Sequence, residues 1–476
     1  MNRKTPLKVM LWRPVGSVVK DSRHTRDIRV PFTLKYIEAL LSTKSDFEVR
    51  FVDSFAFPAP DSEVIKSILS WSPDVIAICA TTGEYLLTID CAKEIKKKMS
   101  PFILALGQDP SAEPERYVFE GSSIDAVLTG ESELVFTALA EELQKGEAMP
   151  ELKGCYSLHN KDKSCAIVED LDALPLILYS KEEMRRYALF YPLRMSRRAV
   201  WGHMLTSRGC PYECTFCSQT IRESYGKKLR FRSPESIIRE MRYLKSLGAN
   251  IFSFADDNFT TKEEHVNKVC EEIIRSGLDV KWTAHARIDN MREPLVRMMK
   301  KAGCIQLRFG IESASPSVLR SLRKTRIEAL WAEKAQDVFD YTKKEGIATV
   351  ALFLLGSPGE KESDLAESSE LAKRLDPDML QICFFTAYPG STAYEELKLK
   401  GDKRYLEDIY HYKPCTLNTS QIKDEDLKRL YNRFYSNFYF RTNYLAKHAV
   451  RYGRYYINNI SVFKELLKTA TMLGKG

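Results

Sequence analysis

Three cysteines, Cys210, Cys214 and Cys217, stand at C-x3-C-x2-C spacing in the stretch SRGCPYECTFCSQ, residues 207–219. Thiolates so closely spaced converge on a soft metal centre, and a closed tetrahedral zinc site needs a fourth protein ligand. His203 is the one nearby candidate for it. Three thiolates can instead ligate three irons of a [4Fe–4S] cube and leave the fourth iron open to a ligand from outside the chain.

The rest of the composition narrows what such a centre could serve. Eleven cysteines, an odd number scattered over 476 residues, do not make a disulfide framework. Most of the others, such as Cys79, Cys270 and Cys383, sit in apolar runs and read as small buried hydrophobes. The length predicts two or three domains. The apolar runs VIAICA and TVALFLL fall far short of the roughly 20 residues that cross a bilayer, and the N-terminus lacks the pattern of a secretory signal. A cytoplasmic protein is expected. The net charge of +8 is concentrated after residue 421, where eleven Lys and Arg face four Asp and Glu, so no distributed basic stripe for nucleic acid is present.

Two α/β rhythms position the motif. Residues 1–150 alternate short apolar strands (LKVMLW, FEVRFVD, DVIAICAT, FILALG, IDAVLTG) with amphipathic helices, which predicts a five-stranded doubly wound, Rossmann-like parallel sheet. None of its strand-end loops carries G-x-G-x-x-G, so a dinucleotide is not indicated. Residues 151–195 read as a hairpin around a polar turn and a linker. From residue 196 to 400 six further strand-helix units, from AVWGHMLTS to MLQICFFTAY, predict a partial (β/α)6 TIM barrel. The cysteines follow its first strand, at the carboxyl face where such barrels carry their chemistry. A helical, aromatic and basic region, residues 401–476, ends the chain.

The cysteine loop resembles the C-x3-C-x-Φ-C signature of radical S-adenosylmethionine (SAM) enzymes, with Phe216 as the aromatic residue. FADDNFT, HARID, RFGIES, LLGSPGE and TAYPGS resemble the family's other strand ends. The resemblance implies a [4Fe–4S] cluster on Cys210, Cys214 and Cys217 whose open iron is chelated by the methionine part of SAM. It places Asp256 or Asp257 near the methionine ammonium, Arg287 and Glu312 near the ribose or carboxylate, and the backbone around Phe216, Pro358 and Gly359 against the adenine. Many members hold the ammonium with G-G-E, where this chain has ADD.

The N-terminal region resembles the cobalamin-binding domain of one class of these enzymes, through GQDPSAEPE, IDAVLTGESELVFTAL and the linker EDLDALPLI. The strand-end residues Thr81, Thr82, Gly83, Gly107, Gln108, Gly130 and Glu131 are then the candidates to approach the macrocycle or its nucleotide tail. The D-x-H-x-x-G pattern that supplies a cobalt ligand is not kept, since Asp21 and His24 in DSRHTRD are one residue too far apart. Cobalamin is therefore expected without a protein histidine.

The tail offers Tyr431, Phe434, Phe438 and Tyr439 at helical spacing, as a face to pack on the barrel or to rest on a membrane surface. Similar tails occur in hopanoid-modifying relatives and in the anaerobic porphyrin cyclase, which suggests a large hydrophobic, lipid-like substrate. The resemblance implies one-electron reduction by a reductase, flavodoxin or ferredoxin, and a 5′-deoxyadenosyl radical acting on an unactivated carbon. C-methylation is the leading outcome; radical cyclisation, rearrangement or carbon–carbon bond formation is the alternative. A non-catalytic iron–sulfur carrier is the alternative of another class.

Overall fold

The computed structural model describes residues 5–14, 27–146, 152–189, 191, 193–195, 198–217, 228–410 and 417–460. Asp21 and His24 lie outside the described residues.

Strands β1 (Leu7–Arg13), β2 (Phe47–Asp53), β3 (Val75–Cys79), β4 (Phe102–Leu106) and β5 (Ala126–Leu128) form a parallel sheet in the order β2-β1-β3-β4-β5. Their side chains alternate between two cores. Leu7, Val9 and Leu11 pack under the helices Phe32–Ser42 and Ser132–Lys145. Met10 and Trp12 pack under Asp61–Trp71 and Tyr85–Lys96. Helices on both faces explain why the strands read as continuous apolar runs.

The linker departs from expectation. Cys155–Ser157 (β6) pairs antiparallel with β5 as a sixth strand, and Ala166 bridges Gly130, so the two runs do not close on each other as a hairpin. Each finds a partner in the parallel sheet, whose last strand would otherwise be an unpaired edge.

The second sheet is wholly parallel, with neighbours β7 (Trp201–Met204), β10 (Ile251–Phe254), β11 (Trp282–Ala286), β12 (Cys304–Glu312), β13 (Ala348–Leu355) and β14 (Met379–Phe384) in that order. The numbers between belong to a two-stranded ribbon, β8 (Ser207–Arg208) with β9 (Arg230–Phe231). Because β7 and β14 do not pair, the barrel is partial. Its helices bury one stripe each: Glu263–Arg275 turns in Val266, Val269, Cys270 and Ile273, the spacing of one helical face.

The aromatic tail closes the barrel's open edge. The helix Asp424–Tyr439 lies against β14, where the Ile382 amide donates to the Tyr435 hydroxyl at 2.7 Å. The Leu380 amide donates to Tyr439 at 3.0 Å, and the Tyr439 hydroxyl donates to the Leu380 carbonyl at 2.7 Å. Edge-strand backbone groups that would meet water are thereby satisfied. Phe434 and Phe438 join the barrel core, and Tyr431 stacks on Phe384 at 4.7 Å. At the amino end, Tyr452 and Tyr455 of the helix Thr442–Asn458 pack with Leu193, Trp201 and Ile251.

Candidate functional site

The cysteine loop leaves the end of β7 and is held on every side. Asp256, at the end of β10, accepts from the Thr206 amide at 2.6 Å, from the Thr206 hydroxyl, and from Ser207 Oγ at 2.8 Å. Further along, the Tyr212 hydroxyl donates to Asn290 Oδ1 at 2.7 Å, and the Thr215 amide donates to the Leu322 carbonyl at 3.0 Å. Phe216 packs beside the apolar cluster that contains Tyr394 and Leu322.

The three thiols lie within one another's electrostatic reach. Burial, reinforced by Cys214, Asp257 and Cys210, pushes the Cys217 thiol up to about 12, and burial raises Cys210. A thiolate there needs a neighbouring positive charge, which metal ligation supplies. Arg287, from the end of β11, provides part of it. Its Nη1 lies 3.5 Å from Cys214 Sγ, its plane sits 3.6 Å from the Tyr212 ring centre, and Asp289 and the Lys324 carbonyl fix the guanidinium. Arg287 thus flanks the thiols and is held by protein groups on its other sides. His203 stacks on Trp201 in the barrel wall. Among the described residues no three His, Cys, Asp or Glu side chains gather around a single point as one metal ion requires.

The paired aspartates have separate fates. Asp256 is taken up by hydrogen bonds to the loop it anchors, though it also borders the cavity. Asp257 accepts no hydrogen bond from protein among the described residues and stands exposed at the mouth of a cavity. Desolvation by the surrounding protein atoms and the charge of Asp256 push its carboxyl up to about 7.

At the end of β12, Glu312 adopts a left-handed backbone, φ 65°, and accepts from Lys324 Nζ at 2.8 Å; both side chains are buried. Gly310 makes room for this pair, because a Cβ there would lie 2.3 Å from Glu312 Oε1. At the end of β13, the Gly356 and Ser357 amides donate to the buried Glu360, so Pro358 and exposed Gly359 form a tethered turn on the same carboxyl face. Burial raises the Glu360 carboxyl to about 8.

The N-terminal sheet presents its carboxyl edge differently. Thr81 and Gln108 are exposed and Gly83 is half-buried, whereas Thr82, Gly130 and Glu131 are buried. The Thr81 amide and hydroxyl both donate to Glu84. Gly107, at φ 120°, has a structural reason for its small size: a Cβ would lie 2.4 Å from the Ala80 carbonyl oxygen. Glu131 is corrected as a cofactor contact. Arg230 grips it with two bonds of 2.6 and 2.8 Å, the Val168 amide donates at 2.6 Å, and Arg208 lies 3.3 Å away. Arg208 in turn donates to Glu133 at 2.8 Å. This buried cluster ties the N-terminal sheet to the ribbon that leads into Cys210.

Lys324, Tyr212, Arg208 and Arg230 were missed from the sequence. Tyr212, Arg208 and Arg230 act through partners 75 to 99 residues away and Lys324 through Glu312, 12 residues back; only the spacing RGC put Arg208 beside the motif.

Residues 204–372 match the family model of the Radical SAM superfamily. The chain is 29% identical over 431 residues to an uncharacterized methyltransferase of Pyrococcus horikoshii, covering 88% of this chain and 89% of the relative. It is 26% identical over 427 residues to the anaerobic magnesium-protoporphyrin IX monomethyl ester cyclase of Rubrivivax gelatinosus, covering 86% and 74%. The radical SAM methyltransferase TsrM of Kitasatospora setae, solved with cobalamin and a [4Fe–4S] cluster bound, shares the fold at a TM-score of 0.67 and 16% identity, over 83% of this chain and 75% of that one. The barrel is a radical SAM domain, which makes the chain a radical SAM enzyme and removes the carrier alternative.

Proposed function

We propose that this enzyme is a cobalamin-dependent radical SAM methyltransferase that methylates an unactivated carbon. The observation that carries the reading is the thiol loop: three cysteines with, among the described residues, no fourth protein ligand beside them, and one uncommitted carboxylate, Asp257, within their field. Methyltransferases among the similar proteins support the transfer, and TsrM, solved with cobalamin, supports the corrinoid. When bound, the reduced cluster supplies an electron to the sulfonium of SAM and the corrinoid supplies a methyl carrier.

The chain's own residues hold these groups. Cys210, Cys214 and Cys217 ligate iron, and Arg287 offsets thiolate charge at Cys214. Asp257 pairs with the methionine ammonium. Lys324 meets the carboxylate, Glu312 the ribose, and the turn at Pro358 and Gly359 together with Phe216 the adenine. Thr81, Gly83 and Gln108 form the rim open to a corrinoid, with no protein histidine as cobalt ligand. A flavodoxin- or ferredoxin-type donor delivers the electron. The aromatic face of the tail is spent on packing, so it gives no support to a large hydrophobic substrate. Its outer face still exposes Leu445, Val450 and Ile457 near Arg454, a composition suited to peripheral membrane contact.

The test is anaerobic reconstitution with iron, sulfide and cobalamin, followed by dithionite and SAM. Release of 5′-deoxyadenosine, a bound-corrinoid spectrum and S-adenosylhomocysteine together are the expected result. Deoxyadenosine without S-adenosylhomocysteine would favour the cyclase-like alternative that the Rubrivivax relative represents. No deoxyadenosine at all would remove the reading.

A further inference from the structure

A second group of polar side chains lies deeper in the barrel. A cavity of about 350 Å3 is walled by Arg29, His203, Ser253, His285 and Arg308, with Asp257 at the strand ends. None of the three cysteines lines it. Register sets these walls: His203 is beside Ser253 across β7 and β10, and His285 beside Arg308 across β11 and β12.

Arg308 is 2% exposed, and its Nε has no hydrogen-bond partner. Its guanidinium sits 5.0 Å from the Tyr191 ring centre and, among the described residues, no carboxylate lies within ion-pair distance. His203 is 3% exposed, with Nε2 also unpartnered. Burial keeps His203, at about 3, and His285 far below the usual imidazole range; the charges of Arg29 and Arg308 add to it, and for His203 a hydrogen bond to the Tyr187 backbone opposes it. Both rings are neutral. Tyr191 and the more distant charge of Asp27 offset the burial of Arg308 only in part. A desolvated cation with no carboxylate in ion-pair contact is costly, and here it borders a space large enough for a small molecule.

We infer that this cavity receives a carboxylate of the substrate, paired with Arg308 and flanked by His203 and His285. This rests on the radical SAM reading for the identity of the ligand as substrate. The cofactor's own carboxylate has other cations, since Lys324 and Arg287 stand beside the thiols. His285 lies on β11 two residues before Arg287, which follows the strand's end, and that sets the cavity about 7 Å deeper. A single charge is matched better than a phosphate dianion. Among the described residues the only other guanidinium in the wall, Arg29, already lies 3.6 Å from Asp27.

The test is equilibrium dialysis of the reconstituted holoprotein with radiolabelled phenylacetate, with acetate, phenylacetamide and inorganic phosphate as competitors. SAM affinity is measured in parallel. Saturable binding displaced by acetate and not by the amide is expected. Arg308→Gln should weaken it at least tenfold with SAM affinity within twofold of wild type, while Lys324→Met leaves phenylacetate binding unchanged. Should glutamine unfold the barrel, judged by circular dichroism, Arg308→Lys takes its place and should bind more weakly with the same preference over the amide. Absence of saturable binding, binding that persists in Arg308→Gln, or displacement by phosphate alone would overturn the assignment. So would a joint loss of SAM and phenylacetate binding in Arg308→Gln, which would make the anion the cofactor's. Carboxylate binding by a protein that never cleaves SAM would instead sink the radical reading and leave a carboxylate site standing.

Discussion

The carboxyl ends of the two sheets hold similar residue types and use them in opposite ways. At the N-terminal edge the polar groups are spent within the protein. Glu131 and Glu133 saturate Arg230 and Arg208, Glu84 takes Thr81, and Gly107 only lets one strand end pass another. At the barrel's edge some of the polar set is spent on holding a loop, and the remainder is not: three cysteines stay free of disulfides, and Asp257 and, deeper in, His203 and Arg308 border a cavity. A strand-end carboxylate is therefore informative about ligands only after its partners are known. Asp256 and Asp257 make the point within one dipeptide.

The contrast can be broken by substitution. The largest effect is expected from Cys210→Ala, Cys214→Ala or Cys217→Ala, each of which should reduce cluster iron and deoxyadenosine release to background while the circular dichroism spectrum is kept. Glu131→Ala strands Arg230 in a buried site and should cost about 3–5 kcal/mol in urea unfolding; a loss below 1 kcal/mol would show that the N-terminal edge is not spent as described. Asp256→Ala frees two hydroxyls and an amide of the cysteine loop, a loss of about 2–3 kcal/mol, with cluster occupancy falling alongside. Asp257→Asn sharpens the distinction: stability is expected to hold, and the dissociation constant for SAM to rise about tenfold, the scale of one charge-assisted bond. An unchanged constant would move the ammonium elsewhere.

The smallest effect concerns pH. The Glu360 carboxyl, raised by burial to about 8 from 4.5, keeps a proton in the folded chain across a range where the unfolded chain has lost it. Stability should therefore fall as pH climbs through that window. Glu360→Gln should flatten this slope, as followed by thermal midpoints from pH 5 to 9. A slope equal to that of the wild type would mean that other groups set it.

Much of the architecture was legible from local pattern. Each of the six barrel strands expected from AVWGHMLTS to MLQICFFTAY forms, because continuous apolar runs between amphipathic helices leave one burial solution. The hairpin expected after residue 151 does not form. Cys155–Ser157 and Ala166 are short enough that an available sheet edge outcompetes their pairing with each other. Of the site, the cysteine spacing was fully legible, while the engagement of Asp256 and Glu131 was not. Their partners stand 50 and 99 residues away.

The sequence by itself determined the kind of centre, because three thiols within eight residues constrain one another whatever surrounds them. It also determined the two sheets, because burial periodicity is a local property of the chain. Tertiary structure alone decided which charged groups remain available. Ion pairing and desolvation depend on what the fold brings within a few ångströms, and so Asp257 and Arg308 border a cavity with no ion-pair partner among the described residues, while Asp256, which borders the same cavity, and Glu131 are taken up by protein groups.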